Sequence, residues 1–212
     1  MHHKHAETHA DPHNANRGFF FAHMGWLLMK KHPEVFEKGR KIPLDDLLAD
    51  PVVYWQKKFY KPLAIFVCFV LPTVIPVVCW NESLTVAYFV PAILRYIFTL
   101  HVTWLVNSVA HMWGYKKYDK RINPVENILV SIGAVGEGFH NYHHTFPQDY
   151  ATSEYGMAYF NLTKAFIDFM ALIGQAYDRN KISAEMVLAR RKRTGDLSNI
   201  ELANGDQHEH AY

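Results

Sequence analysis

The sequence predicts an all-α membrane protein, in which a transmembrane helical hairpin carries a cytoplasmic, helical, His-rich metal domain. Three observations carry this reading. Residues 62–80, PLAIFVCFVLPTVIPVVCW, hold no charge, and residues 83–115 hold one, Arg95. A helix needs about 20 apolar residues to cross a bilayer. The 212 residues include 14 histidines, three of them spaced as His140-x-x-His143-His144. Strand signals are weak throughout.

Composition removes several classes of function. Half the residues are hydrophobic and 15% are aromatic, which excludes a disordered or fibrous chain. Lys and Arg number 22 against 20 Asp and Glu, a net charge of +2, so a nucleic-acid-coating protein is not expected. Two cysteines exclude a disulfide scaffold and a Cys-rich zinc ribbon. Cys68 and Cys79 both fall in the first apolar run, about 16 Å apart by helical rise, too far to pair. The opening MHHKHAETHADPH shows no cleavable signal peptide.

In chain order, residues 1–58 read as a cytoplasmic segment. It is polar and His-rich to residue 18, and residues 18–31, GFFFAHMGWLLMKK, are aromatic and apolar with a basic end. That stretch is too short to span and reads as a helix, packed or interfacial. Ile42-Pro43-Leu44-Asp45 marks a later helix start. Residues 59–115 form the hairpin, turning at Trp80-Asn81-Glu82-Ser83. Pro72 and Pro76 are tolerated in a span. Two core helices of a soluble protein would show the same runs, but the first matches a spanning length closely. Lys57, Lys58 and Lys61 precede the hairpin; Lys116, Lys117, Lys120 and Arg121 follow it; the turn has no Lys or Arg. Positive charge collects on the cytoplasmic side, so both termini are expected there. Residues 116–194 form a second cytoplasmic domain. Within it 161–190 reads as helical, with Leu162, Ala165, Phe166, Phe169 and Leu172 at helical spacing, and 190–193 is a basic run. Residues 195–212 lack apolar periodicity and read as a disordered tail.

The histidines carry the chemistry. On a helix His140, His143 and His144 stand at i, i+3 and i+4 and share one face. Three imidazoles on one face suit iron, zinc, copper or nickel, although a surface or satisfied core cluster has the same spacing. Asn107 and His111 are i and i+4 at the end of the second apolar run. Polar groups there mark a functional site or an interhelical hydrogen bond. His2-His3 opens an interspersed pattern unlike a purification tag. All three groups lie on one side of the membrane and can converge on one metal centre. Carboxylate is scarce beside the boxes; Glu137 is the adjacent acid, expected to orient an imidazole. H-E-x-x-H is absent, which excludes that metalloprotease class.

The segments HHKHAETHADPHNANRGFFFAHMGWLL, NSVAHMWG at 107–114 and GEGFHNYHHTFPQDY at 136–150 closely resemble the membrane-bound acyl-CoA desaturases of the delta-9, stearoyl-CoA type, with an insect-like flavour. The resemblance runs from His2 to about Asp196. It implies a four-helix membrane bundle in the endoplasmic reticulum, of which this chain supplies the second half. It also implies two irons held by histidines, and use of O2 to place a cis double bond in a saturated fatty acyl-CoA. Electrons would come from cytochrome b5 and its reductase. By the resemblance His2, His111, His140 and His143 serve one iron. His3 and His144 serve the other, with Asn107 acting through a water. Lys30 and Lys31 match a basic pair that meets CoA phosphates, and Thr103 and Trp104 match the wall of the acyl tunnel. The family's upstream H-x-x-x-x-H box is absent, and Met1 stands inside the H-x-x-H-H box. The chain therefore reads as an N-terminally truncated fragment. Three alternatives accompany this reading: a hydroxylase or acetylenase on the same scaffold, an inactive desaturase-like membrane protein or regulatory partner, and a zinc-binding membrane protein.

Overall fold

The computed structural model describes residues 1–155 and 160–196. It is helical, and the β-pairing among the described residues is confined to isolated bridges that join Glu126 to Tyr115 and to Phe139. The chain divides into two compact units, one of Lys31–His101 and one of His2–Lys30 with the chain from Val102 onward. Within the latter, α1 is His2–His5 and α2 covers residues 19–28, including a π-helical turn at Phe21–Gly25.

The Lys31–His101 unit begins with short helices set by their caps. Helix α3, Pro33–Gly39, has proline in its first turn and His32 accepting the Glu34 N–H. Helix α4, Asp45–Ala49, starts where Ile42-Pro43-Leu44-Asp45 predicts and carries two acids in its first turn, complementing the helix dipole. Helix α5, Pro51–Lys58, is capped by Asp50, whose carboxylate accepts the Val52 and Val53 N–H groups. Then come the two spans: α6, Tyr60–Trp80, has 21 residues and an 18-residue stretch of mean hydropathy 2.5, and α7, Leu84–Met112, has 29 residues and such a stretch of 1.5. Only the first part of α7 belongs to this unit.

The hairpin turn follows from its residues. Asn81 adopts the left-handed conformation at φ 56°, which Asn tolerates. Ser83 caps α7 by accepting the Val86 N–H, and the Glu82 carboxylate accepts the Ser83 N–H at 2.8 Å. Arg95, the single charge of the long runs, also has a structural partner. Pro72 lacks the N–H that would serve the carbonyl four residues earlier, that of Cys68. Arg95 Nη2 donates to that carbonyl at 2.8 Å, and its Nε donates to Pro91 O at 2.7 Å. Backbone freed by proline in a span has to be satisfied by a neighbour. π-helical turns at Phe66–Val70 and Tyr88–Leu94 adjoin or contain these prolines.

The other unit positions the site. Helix α8, Ile128–Gly133, packs Val130, with Ala134 beyond its end, against Val102, Leu105, Val106 and Val109 of α7. Helix α9, His140–Thr145, carries the HNYHH sequence. Its apolar support is Tyr118, Tyr142, Phe146 and Val187. Residues 161–190 do not form one helix. The chain makes α10, Leu162–Leu172, and α11, Ala184–Thr194. Gly174 at φ +75° stands between them, a conformation that ends helices. The basic run 190–193 lies in the last turns of α11, where Arg190 pairs with buried Asp119. Gly195 is buried and the Asp196 N–H donates to Lys116 O, so the packed structure extends two residues into the stretch read as a tail. The remainder of that stretch, 197–212, lies outside the described residues.

Candidate metal centre

The HNYHH helix is amphipathic in chemistry rather than hydropathy. One face is held by buried hydrogen bonds, which leaves the imidazoles on the other. Asn141 is fully buried. Its Oδ1 accepts the Tyr118 and Asp119 N–H groups, and its Nδ2 donates to Asp119 O and Pro124 O, which exhausts the capacity of an amide side chain. The Tyr142 N–H donates to Glu126 Oε1 at 2.8 Å, and the Tyr142 hydroxyl to Asp149 at 2.7 Å. Gly138 enters this helix through a tight crossing. A Cβ there would lie 2.1 Å from Ser131 N and 2.4 Å from Asn127 O.

The opposite face meets α1 and the end of α7. The atoms of His2, His111, His140 and His144 that can ligate a metal lie within 4.8 Å of one another. The Nε2 atoms of His111 and His140 are 2.9 Å apart, those of His140 and His144 3.1 Å, and those of His2 and His144 3.3 Å. His3 and His143 face each other beside this group, Nε2 to Nε2 at 3.1 Å, and the His3 ring stacks on His144 with centroids 4.2 Å apart. All six predicted histidines are thus brought together. The grouping differs from the one implied by resemblance, for His144 joins His2, His111 and His140 while His143 pairs with His3. Both residues share the imidazole face of α9, so helical spacing does not distinguish them.

Two carboxylates hold the imidazoles from behind. Asp11 places both oxygens 3.0 Å from His2 Nδ1 and also accepts the Glu7 and His13 N–H groups. Glu7 Oε1 lies 2.6 Å from His111 Nδ1. Glu7 reaches it from a left-handed backbone at φ 57°, an uncommon conformation found where surrounding contacts hold it. A carboxylate accepts the Nδ1 proton, so each Nε2 keeps its lone pair toward the centre. Burial opposes the ionised Asp11, but the His2 hydrogen bond and the Glu7 N–H outweigh it and lower its pKa. Burial, followed by the neighbouring imidazoles, holds His140 well below the usual histidine pKa and lowers His143 and His144 as well. Neutral imidazole is the ligating form.

Sequence reasoning missed Glu7 and Asp11. It sought acids beside the HNYHH box, whereas these stand inside the first His-rich segment, HHKHAETHADPH. It gave the orienting role to Glu137. Among the described residues Glu137 makes no hydrogen bond to an imidazole, and burial raises its pKa. His13 was missed as well: it lies beside His2 at 4.3 Å between ring centroids, and burial, then the His2 charge, lowers its pKa to about 4. Asn107 is half-buried one turn before His111. Between them Ser108 receives a buried contact from His23 Nδ1 at 3.0 Å and donates to Trp104 O. Thr103 is exposed and Trp104 half-buried, with its ring 5.8 Å from that of His23. Lys30 and Lys31 are both exposed, in the irregular stretch between Leu28 and Pro33.

These features define a class: helical membrane-spanning proteins with a carboxylate-buttressed polyhistidine centre. The chain belongs to the fatty acid desaturase family, whose profile matches residues 1–179. It is 60% identical over 198 residues to an acyl-CoA desaturase of Cyprinus carpio, covering 93% of this chain and 61% of the relative. It is 59% identical to stearoyl-CoA desaturase 5 of Bos taurus, covering 93% and 59%, and 58% identical to stearoyl-CoA desaturase of Sus scrofa, covering 93% and 55%. The chain therefore spans about three-fifths of the length of these relatives.

Family membership implies a di-iron centre, and the residues fit metal ions. Imidazole–metal bonds of about 2.1 Å put adjacent donors roughly 3.0–3.4 Å apart, which is the spacing of these Nε2 atoms. The buried Nδ1 atoms of His140 and His143 have no hydrogen-bond partner, so these rings lack the orienting carboxylate that His2 and His111 possess.

Proposed function

We propose that this chain belongs to an acyl-CoA desaturase that places a cis double bond in a saturated fatty acyl-CoA. In this reading it uses O2, a His-ligated di-iron centre and electrons from cytochrome b5, at the endoplasmic reticulum membrane. The observation that carries the reading is the convergence of four Nε2 atoms, with the His111 and His2 rings fixed from behind by Glu7 and Asp11. The names of the relatives point to an acyl-CoA substrate. His2, His111, His140 and His144 would hold one ion. His3 and His143 contribute to the other, with Asn107 at its edge.

Bound there, iron supplies the redox chemistry needed to break an unactivated C–H bond. The chain's own residues bind, orient and exclude. Glu7 and Asp11 keep the His111 and His2 lone pairs aimed inward. Lys30 and Lys31 present ammonium groups to the CoA phosphates. Thr103 and Trp104 flank the acyl chain one turn from Asn107. Distance from the anchored head to the centre then selects the methylene pair.

The test has two parts. Purified protein is assayed for iron, and membranes carrying it are given a saturated acyl-CoA, with product analysis by mass. Two irons and a monounsaturated product are expected of the complete protein that contains this chain. In that complete protein His143→Ala should abolish product while membrane insertion persists. Retained desaturation in that variant overturns the ligand assignment. A hydroxylated or acetylenic product overturns the reaction type.

A further inference from the structure

We propose that α10 lies in the plane of the membrane, with its apolar face set into the interfacial lipid of the leaflet facing the histidine centre. The inference rests on the membrane-spanning fold and not on metal binding or activity.

Helix α10 is amphipathic, and its polar face is fastened to its own unit. Asp168 accepts from Tyr150 at 2.7 Å, from Arg179 at 2.6 Å and from Lys164 at 2.5 Å. Asn161 caps the helix through the Lys164 N–H and is itself fully buried, donating to Ala151 O. These bonds leave the helix little freedom to rotate about its axis. The other face is bare: Leu162, Phe166, Phe169, Leu172 and Ile173 are all exposed, Phe166 at 62% and Leu172 at 82%. Large apolar patches of this kind mark an interaction surface.

Depth identifies the occupant as lipid. About 20 residues of helix cross the hydrocarbon, so counting along α7 from Leu84 puts the far boundary near Thr103. In the unit that begins at Val102, α8 runs beside this end of α7, and a Cβ on Gly133 would lie 3.5 Å from Val102 Cγ1. The end of α8 therefore stands at the level of the boundary. Helix α10 starts from there, for Thr163 donates both its N–H and its hydroxyl to Val135 O, at 3.2 and 3.1 Å. Ile132 and Val135 are exposed beside it. An amphipathic helix held at this depth buries its apolar face about 5–10 Å into the headgroup–acyl boundary.

The experiment uses the full chain in phosphatidylcholine nanodiscs, with Cys68 and Cys79 replaced by Ser. Single cysteines at Phe166→Cys, Phe169→Cys and Ala171→Cys carry an environment-sensitive fluorophore. Quenching by lipids with a shallow nitroxide is compared with quenching by aqueous iodide. Labels at 166 and 169 should be quenched by the lipid nitroxide at least about two-fold more than the label at 171, and should resist iodide. Strong iodide quenching at 166 and 169 overturns the proposal, since the face is then in water. Shielding from both quenchers overturns it too, since protein then covers the face. Phe169→Asp should weaken the lipid signal of a label at 166 while leaving metal content unchanged.

Discussion

Removing the Glu7 carboxylate should weaken metal binding without removing a ligand. Glu7 Oε1 lies 2.6 Å from His111 Nδ1, and the two side chains are only 11% and 1% exposed, so water does not replace the lost partner. Groups that orient a ligating histidine in this way contribute about 10–100-fold to metal affinity, or about 1.4–2.7 kcal/mol. Glu7→Gln keeps a carbonyl acceptor and should fall near ten-fold; Glu7→Ala should approach a hundred-fold. Asp11→Asn acts on His2 and should resemble Glu7→Gln. The double variant should lose less than the sum, because Asp11 accepts the Glu7 N–H and neighbours that share a bond are not additive. Glu137→Gln, where among the described residues no hydrogen bond to an imidazole is lost, is the control. The assay is cobalt(II) titration of purified protein in detergent against a competing chelator. Affinity in Glu7→Ala within about three-fold of the parent would refute the reasoning, as would an equal loss in Glu137→Gln.

Further outcomes follow from the surroundings of the centre. Burial raises the Glu126 pKa from 4.5 to about 8, so the folded state holds this proton where the unfolded state has released it. Its contribution is full below pH 4.5 and is lost as pH rises toward 8, an interval worth up to about 5 kcal/mol. Glu126→Gln should remove this slope, so that the melting temperature of the parent falls relative to the variant between pH 5 and 8. Parallel curves would show that Glu126 is ionised in the fold. Gly138→Ala forces a Cβ onto backbone atoms and should cost about 3 kcal/mol or more, read as lost thermal stability together with lost metal; a variant of parental stability would contradict the crossing. Arg95→Met strands the Cys68 carbonyl and should cost about 1–3 kcal/mol. A more stable Arg95→Met would show that carbonyl to be satisfied without Arg95.

The hairpin was legible because two long apolar runs that together hold one charge match a spanning length, and the turn was legible because Asn81 and Ser83 are residues that stop and start helices. The imidazole face of α9 was legible for the same local reason, since i, i+3 and i+4 spacing fixes a face. The carboxylates were not. Glu7 meets His111 across 104 residues of sequence, and nothing local pairs an acid with a distant ring. Asn141 looks like filler inside the box, and only the structure reveals its four buried bonds. Residues 161–190 read as helical, and the break at Gly174 was not anticipated, because apolar spacing outweighed a residue that ends helices. The bare face of α10 was visible as periodicity, but periodicity does not say whether protein or lipid covers it.

The contact between His2 and His144 spans 142 positions of sequence. An ion held by both would be a cross-link whose loop contains the whole hairpin. By analogy with a disulfide, closing a loop of about 100 residues restricts the unfolded chain by about 4.7 kcal/mol, and lengthening it adds little. The ion would therefore act as a topological staple as well as a reactive group. It also imposes an order of assembly. The histidine partners of residues 2–13 are not complete until residue 144 is made. At about 5–20 residues per second that is a wait of roughly 7–30 seconds, during which both spans have to enter the bilayer while a His-rich segment awaits its remaining partners.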